Sequence, residues 1–426
     1  MTGAGGFLGR WLCRALLRQG WDVHGTQRRA AVPDAVVAWD ADLREPEAWA
    51  RIFAEVRPDA VFHLAATVDV QRTPDAYPMR LDDIAAVTDR VARSCLDAGA
   101  RLVHVGTCEE YGDGPVPFRE DQRLQPVSPY SAAKAAASLW VDTLMRTQGL
   151  RATVVRPFLT YGPGQGGRGL VPAAARAALA GVPFAMTAGT QTREWNHVAD
   201  IAEGLARAAD PRAVGHTLNL GGGPERSVRD VAARVFDLAG ADPALLQVGA
   251  LPARPGEIPR FYGDHTRFHA LLGAPPRASL DQGLQEVLAS LRDTPPPSPR
   301  PLRERLRVQP VRRVEDPRGA LDKLWPGPVS GEVYRVTARP GQDRGHHLHR
   351  RMGEWFMALE GEGALGVADP DTGASLWMPL GRERVYVPAG VAHALRNTGT
   401  TPFTALAVAE RGYDPGDVAS YRVPEP

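Results

Sequence analysis

The sequence predicts two folds in one chain: an α/β domain built on a doubly wound parallel sheet, followed by a smaller all-β domain. Two extended apolar runs, VFHLAA (61–66) and RLVHVGT (101–107), alternate with amphipathic helical runs. Such alternation places helices on both faces of a parallel sheet. From about residue 313 the chain changes to short extended runs separated by Gly and Pro, which is typical of a sandwich or barrel.

The composition excludes several classes of function. The 426 residues carry a formal net charge of +1, so neither a nucleic acid nor a membrane surface is indicated as a partner. No apolar run reaches the roughly 18 residues of a membrane span, and no signal peptide is evident. The three scattered cysteines fit a reducing compartment better than a disulfide framework, so we expect a cytoplasmic protein.

A glycine-rich turn opens the chain. Gly3, Gly6 and Gly9 are spaced three apart in TGAGGFLG and lead into an amphipathic run, a pattern that brings backbone close to a pyrophosphate at a helix N-terminus. Such a turn normally follows a buried strand, yet only Met1 precedes Thr2. The first strand of the sheet is therefore missing from the pattern. Our hypothesis is a true start farther upstream, because a sheet without its central strand exposes apolar surface.

Residues after the next extended segment predict the choice of dinucleotide. Arg28 and Arg29 stand where an NAD-binding turn usually carries an acidic residue, and arginines there suit the additional phosphate of NADP. We therefore expect NADP(H) rather than NAD(H). Asp42 and Leu43 follow a further extended run and are placed to meet the adenine.

The stretch SPYSAAK (128–134) combines two side chains suited to proton transfer. Tyr130 and Lys134 are four residues apart in an Ala-rich helical run, so they share one face of the helix. An ammonium beside a phenol lowers the pKa of the phenol, which would let Tyr130 exchange a proton with a substrate oxygen. The chain has only two lysines and otherwise uses arginine, which cannot titrate in this way.

A metal site is predicted in the second domain. His347 and His349 alternate onto one face of an extended run, whereas His346 is expected to point to the opposite face. Glu354 lies on the adjoining run, and His393 follows in PAGVAHALRN. Three imidazoles and one carboxylate make a site for a divalent first-row metal with room for water or substrate, and zinc is the expected ion.

Composition also marks the domain boundaries. The prolines of TPPPSPRP (294–301) cannot continue a helix and favour a stiff, extended backbone, and the basic RERLR follows them. We therefore divide the chain into an α/β domain over 1–292, a linker over 293–312 and an all-β domain over 313–426.

Together with the glycine turn and the Tyr130/Lys134 pair, the segment GTCEEYG (106–112) resembles the extended short-chain dehydrogenase/reductase family, in its sugar-nucleotide branch. Further matching motifs within 1–292 are VVRPFLTYGPG (154–164), REWNHVAD (193–200), LNLGGG (218–223) and RPGE (254–257). The resemblance implies a Rossmann-like domain with a small substrate lobe that binds a nucleotide-linked sugar.

The resemblance also implies a role for each matching residue. Thr107 would hydrogen-bond the reacting sugar oxygen, and Tyr130 would be the acid/base. Lys134 would hold the nicotinamide ribose and lower the pKa of the tyrosine. Arg193 and Arg254 resemble the family's arginines that face the substrate diphosphate, where a guanidinium matches phosphate oxygens.

Departures from the family keep several reactions open. Leu159 replaces an asparagine that often contacts substrate, and Cys108 replaces the aspartate of the Asp-Glu pair in dTDP-glucose dehydratases. Glu109 remains, in a threonine-x-glutamate arrangement similar to that of GDP-mannose dehydratases, and would contact the substrate. The segment GTCEEYG is also similar to the corresponding segment of GDP-4-keto-6-deoxysugar reductases. Reductase, epimerase and dehydratase therefore stay open, in that order.

The second domain resembles the cupins, which are double-stranded β-helices or jelly rolls. The matching motifs are Gly341-x5-His347-x-His349-x4-Glu354-x6-Gly361 and Pro388-x-Gly390-x2-His393-x3-Asn397. The wording of 313–426 is similar to the cupin half of bifunctional capsule-precursor enzymes. In those enzymes a short-chain reductase is fused to a zinc cupin that epimerises a 4-keto sugar nucleotide. They carry a lysine two residues before the glutamate, where this chain has Met352.

These likenesses predict a bifunctional enzyme that is also a homodimer. One half would reduce a nucleotide-linked 4-keto-6-deoxysugar with NADPH. The metal cupin would epimerise the carbon beside the ketone, because a metal near the keto oxygen favours loss of the neighbouring C–H proton. The alternative is a 4-epimerase or 4,6-dehydratase with a tightly held cofactor and a cupin that only binds sugar or dimerises.

Overall fold

The chain forms two compact units, Met1–Thr294 and Pro295–Pro426. The computed structural model describes residues 1–27, 31–66, 81–166, 169–253, 256–293, 302–309, 311–316, 319–323, 331–370, 373–410 and 417–424. The first unit is a Rossmann-like α/β domain and the second is antiparallel and all-β, which confirms the predicted fold classes. Within these described ranges, no helix is both long and apolar enough to cross a membrane.

The first unit alternates strands and helices. Its strands are β1 (His24–Gln27), β2 (Val37–Asp40), β3 (Ala60–His63), β4 (Arg101–Val105), β5 (Ala152–Pro157), β6 (Thr160–Tyr161), β7 (Phe184–Met186), β8 (Thr192–Glu194), β9 (Asn196–His197), β10 (Thr217–Leu220), β11 (Glu225–Ser227), β12 (Leu246–Val248) and β13 (Arg260–Phe261). Its helices are α1 (Phe7–Arg18), α2 (Pro46–Val56), α3 (Val87–Ala98), α4 (Pro129–Gln148), α5 (Leu170–Ala180), α6 (Val198–Arg207), α7 (Val228–Ala239), α8 (Thr266–Leu272) and α9 (Leu280–Asp293).

The central sheet is parallel and is interrupted at one position. Four strands pair in the order β10–β5–β4–β3, and β1 pairs with β2 beside them. Met1 and Thr2 lie between these two groups: the Thr26 N–H donates to the Met1 oxygen, and the Thr2 N–H donates to the Phe62 oxygen, both at 2.9 Å. These two residues stand where the pattern lacks its first strand.

Side chains of the parallel strands alternate between two apolar cores. Val103 and Val155 face the core formed with α1 and α6, whereas Leu102 and Val154 face the core formed with α2, α3 and α4. All four side chains are buried. Because both faces of the sheet are covered, these strands read as continuous apolar runs rather than as alternating ones.

A smaller lobe stands beside the sheet. It contains the sheets β11–β8–β13 and β12–β7, and its core is formed largely by α5, α7 and α9. This lobe corresponds to the substrate lobe that the resemblance implies.

The second unit is a sandwich of two five-stranded antiparallel sheets. It begins with the short helix α10 (Leu302–Arg305), and its strands are β14 (Arg307–Gln309), β15 (Arg312–Asp316), β16 (Gly319–Lys323), β17 (Val333–Ala338), β18 (Asp343–His349), β19 (Glu354–Glu360), β20 (Gly363–Ala368), β21 (Ser375–Pro379), β22 (Arg384–Val387), β23 (Ala392–Asn397), β24 (Phe403–Ala409) and β25 (Val418–Ser420). The sheet orders are β14–β22–β19–β24–β17 and β21–β20–β23–β18–β25, with β15 and β16 paired separately.

Part of the segment assigned to the linker packs on the second unit. Leu302 and Leu306 are buried in its core, and β14 pairs antiparallel with β22. The two leucines are four residues apart, so a single helical turn presents both to the same surface. Because prolines and arginines dominate the composition of 293–312, we did not identify these two leucines as core residues from the sequence.

Candidate active site and metal centre

A cleft of about 1510 Å³ opens at the carboxyl ends of the parallel strands. Its walls include the glycine turn, the end of β1 and the residues that follow β2, β3, β4 and β5, and the small lobe closes its other side. Ligands of open parallel sheets bind at this edge. The cleft is therefore the candidate active site of the first unit.

The glycine turn is required by close backbone contacts. Gly3 has a φ of 68°, in the left-handed region that favours glycine. A Cβ on Gly9 would lie 2.1 Å from the Gly3 oxygen, so only glycine fits there. Gly6 caps α1 without a side-chain hydrogen bond, and the first residues of that helix line the cleft. Backbone N–H groups at this helix start fit a dinucleotide pyrophosphate.

Two residues were predicted to meet the adenine of the dinucleotide. Asp42 and Leu43 both line the cleft, and the Asp42 carboxylate accepts from Arg44 Nε at 3.0 Å. Gln27 ends β1, and its side-chain amide donates to Asp40 at 3.0 Å. The two arginines on which the NADP prediction rests, at positions 28 and 29, lie outside the described residues.

Thr107, Tyr130 and Lys134 are brought together on one wall of the cleft. Helix α4 begins with a capping box in which Ser128 and Ser131 satisfy each other's backbone N–H groups, so Tyr130 and Lys134 lie on its first two turns. Lys134 is 2% exposed, and its Nζ donates to the Val105 oxygen at 2.7 Å.

The pKa of Tyr130 is shifted upward, whereas the sequence led us to expect the neighbouring ammonium to lower it. Burial raises the pKa of its phenol, the nearby Glu109 and Glu110 carboxylates raise it further, and a hydrogen bond with Thr107 offsets only part of this. Burial also lowers the pKa of Lys134 to about 8. Desolvation is therefore the largest influence on the phenol, and Tyr130 holds its proton at neutral pH.

A buried polar network supports this wall, and the sequence reasoning missed it. Glu110 is fully buried, and one of its oxygens accepts from the Thr107 N–H and from Ser138 Oγ, both at 2.9 Å. Its other oxygen accepts from Arg156 Nε at 2.8 Å. Since Ser138 lies one turn beyond Lys134 on α4, Glu110 ties the threonine turn to the helix. The second glutamate of GTCEEYG was the available signal.

Of the three residues predicted to contact the substrate, two lie in the cleft. Glu109 and Arg193 line the cleft. Arg193 is oriented by the Ile258 oxygen at 2.9 Å and by the Glu257 carboxylate at 2.6 Å. Leu159 is 37% exposed on the same wall, so an apolar side chain replaces a polar contact there. The other predicted arginine, Arg254, lies outside the described residues.

The four predicted metal ligands converge in the second unit. His347, His349, Glu354 and His393 each offer one ligand atom, and these atoms lie within 4.8 Å of one another. β18 pairs His347 opposite His393 on β23, after an irregularity in register at His346. That residue has a φ of 60° and lies 3.1 Å from Asp343 Oδ2, so it points away from the cluster, as expected.

The chemistry of the cluster fits a divalent metal. Glu354 Oε2 lies 2.9 Å from His393 Nε2 and 3.3 Å from His349 Nε2. Neither approach has hydrogen-bond geometry, and within the described ranges Glu354 Oε2 and His349 Nε2 have no hydrogen-bond partner. Converging buried lone pairs of this kind are costly unless a cation binds them. Burial lowers the pKa of His347 to about 4, so its imidazole is neutral, which is the ligating form.

Fold and cleft together define a nucleotide-dependent enzyme whose second unit contains a candidate metal site. Residues 1–221 match the NAD dependent epimerase/dehydratase family, and residues 334–409 match the cupin domain. The chain belongs to the NAD dependent epimerase/dehydratase family. Its relatives are sugar-nucleotide enzymes, so the chain is an enzyme that uses a pyridine nucleotide.

Three known proteins illustrate the range of the similarity. UDP-glucose 4-epimerase of Mycolicibacterium smegmatis is 30% identical over 69% of this chain and 98% of its own. dTDP-glucose 4,6-dehydratase 1 of Escherichia coli is 30% identical over 68% of this chain and 91% of its own. The structure of RMD from Pseudomonas aeruginosa complexed with NADPH is 25% identical, with a TM-score of 0.58, over 68% of this chain and 96% of that one.

Proposed function

We propose that the chain is a bifunctional sugar-nucleotide enzyme. The first unit reduces a nucleotide-linked 4-keto-6-deoxysugar with NADPH. The second epimerises the carbon beside the ketone with a divalent metal, for which zinc is the first candidate. One observation carries the proposal: a buried Tyr130 beside Lys134 lines the cleft, and a separate cluster of four ligands occupies the second unit of the same chain. Reduction needs only the first of these arrangements, so the second calls for another reaction.

In the first unit, bound NADPH supplies the hydride. Tyr130 donates its proton to the oxygen that the hydride leaves negatively charged, and Thr107 orients that oxygen by a hydrogen bond. A raised pKa suits Tyr130 to this direction of reaction, because the phenol keeps its proton until an alkoxide develops beside it. Lys134 holds the nicotinamide ribose. Glu109, Arg193 and Arg254 bind the substrate, the arginines at its diphosphate.

Two features support NADPH over NADH. Arg28 and Arg29 supply positive charge after β1, and that strand ends in Gln27 rather than in an acidic residue. RMD, a structural relative, is complexed with NADPH.

In the second unit, a bound divalent metal would supply Lewis acidity toward a ketone oxygen. His347, His349, Glu354 and His393 hold it. A metal held there would make the C–H bond beside the ketone more acidic, which is the chemistry that epimerisation of that carbon requires. Met352 is buried and apolar where the similar enzymes carry a lysine, so another group transfers the proton.

The relatives favour a second candidate for the first unit. The names UDP-glucose 4-epimerase and dTDP-glucose 4,6-dehydratase support an enzyme that recycles a tightly held cofactor. Cys108 opposes the dehydratase version, since burial holds the pKa of its thiol well above its usual value and the group is a poor acid. An enzyme of this second kind forms product without added NADPH.

Absorbance of NADPH separates the two candidates. With a panel of nucleotide-linked 4-keto-6-deoxysugars, we expect NADPH loss with at least one substrate. Tyr130→Phe should slow this loss by at least about 100-fold, the usual scale for a missing general acid. Tyr262→Phe is the matched control, because Tyr262 lies outside the cleft lining, and it should react at the normal rate. Product formation without NADPH loss would favour the second candidate, and normal turnover by Tyr130→Phe would contradict the site.

A further inference from the structure

Tyr334 contacts one metal ligand from outside the ligand set. It lies on β17, and its hydroxyl donates to Glu354 Oε1. The other oxygen, Oε2, is the one that approaches His393 and His349, at 2.9 and 3.3 Å. The two oxygens of the carboxylate are therefore divided: one is held by the tyrosine and one faces the imidazoles.

Asp417 lies near a second ligand, His349, just before the strand that pairs with β18. It is 3% exposed and directly precedes β25, and its Oδ2 lies 3.7 Å from His349 Nδ1. Because Nε2 of the same ring faces Glu354, Nδ1 is the nitrogen that faces Asp417. Within the described ranges, His349 Nδ1 has no hydrogen-bond partner, and Asp417 Oδ1 pairs only electrostatically with Arg351 Nε at 3.4 Å. A proton on Nδ1, turned toward this carboxylate, leaves the Nε2 lone pair for a metal.

We propose that Tyr334 and Asp417 are positioning residues of the metal centre, one holding the Glu354 carboxylate and the other the His349 imidazole in ligating orientation. This inference rests on the metal half of the proposed function and extends it to the groups that set metal affinity. Because Tyr334 holds one oxygen of Glu354, only the other oxygen would be left as a metal ligand.

The same unit contains matched controls for both residues. Tyr386 also donates to a carboxylate, Glu410 at 2.9 Å, but neither residue belongs to the metal cluster. Asp369 is 4% exposed, like Asp417, and pairs with Arg305 at 2.8 Å. Each control therefore removes a comparable polar contact away from the ligands. Tyr334 is itself 37% exposed, so loss of its hydroxyl leaves the packing intact.

The test is a zinc titration of the full chain. Metal is first removed with a chelator, and Zn²⁺ is then titrated in competition with a chromophoric chelator. We expect Tyr334→Phe and Asp417→Asn each to weaken Zn²⁺ binding by about 10- to 100-fold, the scale measured for groups that orient metal ligands. Tyr386→Phe and Asp369→Asn should bind as the unmodified protein does, and unfolding of the metal-free proteins verifies that every variant folds.

Cobalt adds a readout of coordination. In Tyr334→Phe both oxygens of Glu354 become available, so we expect the visible absorption of bound Co²⁺ to change in intensity as the coordination number rises. An unchanged spectrum would overturn the claim of a single ligand oxygen.

The outcomes separate this inference from the function on which it rests. If the unmodified protein binds Zn²⁺ and both variants bind it equally well, the positioning roles are wrong and the metal centre stands. Equal weakening by the control variants would also overturn the inference, because the effect would then not be specific to ligand contacts. If the unmodified protein binds no Zn²⁺, the inference and the metal half of the proposed function fall together.

Discussion

Lys134 donates to a backbone carbonyl oxygen at 2.7 Å and is almost fully buried beside Tyr130. The same burial that lowers the pKa of the ammonium raises the pKa of the phenol, since each charged form loses hydration. At this site both groups are consequently driven toward their neutral forms. A reductase benefits, because a protonated tyrosine is the form that donates.

The buried lysine should make stability depend on pH. Its pKa is about 8 in the folded protein and 10.5 ordinarily, so between these values the unfolded chain binds a proton that the folded chain does not. The free energy of unfolding therefore rises with pH in this window. Relative to Lys134→Met, the unmodified protein should gain on the order of 2–3 kcal/mol between about pH 7.5 and 10.5, measured by urea unfolding. A difference between the two proteins that stays constant with pH would contradict this.

Single residues also show where sequence reasoning stops. Tyr130, Lys134 and the four predicted metal ligands lie in local motifs, so their types and spacing predicted that each set converges. Tyr334, on β17, and Asp417, just before β25, approach the same cluster although they are distant in sequence from the residues they contact. No spacing rule links such positions, because their contact exists only after the sheets have paired.

At the scale of elements, the Glu110–Arg156 pair joins three parts of the first unit. Glu110 lies on the turn after β4, Arg156 lies on β5, and Ser138 on α4 donates to the same carboxylate. Arg156 also donates to the hydroxyl of Tyr111, which in turn donates to Asn219 on β10. The wall that bears Thr107 is thus fixed to two strands and a helix.

Breaking this pair should destabilise the first unit strongly. Glu110→Gln leaves the Arg156 guanidinium, 6% exposed, without its carboxylate, and removal of one partner of a buried ion pair costs about 3–5 kcal/mol. Glu225→Gln is the matched control, since its partner Arg260 is 55% exposed and solvent screens that pair. Urea unfolding should show a far larger loss for Glu110→Gln. Equal losses of unfolding free energy in the two variants would show that the buried Glu110–Arg156 pair is no more important for stability than an exposed pair.

Elements with long apolar runs could be predicted from the sequence. Elements that are ordered only by packing against other parts of the fold could not. The runs 61–66 and 101–107 correspond to β3 and β4, because strands buried on both faces read as continuous apolar segments. α10 and β14 lie within the proposed linker, and only their docking against the second unit makes them structured parts of the fold. The sheet position before the glycine turn holds just Met1 and Thr2.

At the scale of the whole molecule, the two units carry separate chemical centres. The first has a dinucleotide turn, a buried tyrosine and a cleft large enough for a cofactor and a nucleotide-linked sugar. The second has a cluster of ligands within a β-sandwich. Both fold classes could be predicted from the sequence, because each has its own hydrophobic periodicity. We propose that the two centres act on one ketone substrate.

The measurement that tests this claim most directly is the reaction with NADPH in heavy water, followed by mass analysis of the product. We predict NADPH loss with solvent deuterium at a carbon-bound position, because the hydride from NADPH carries no deuterium and only epimerisation exchanges the neighbouring C–H. His393→Ala should lose this deuterium, and Tyr130→Phe should lose the reduction. NADPH loss without deuterium in the unmodified protein, or the same deuterium content with His393→Ala, would contradict the account.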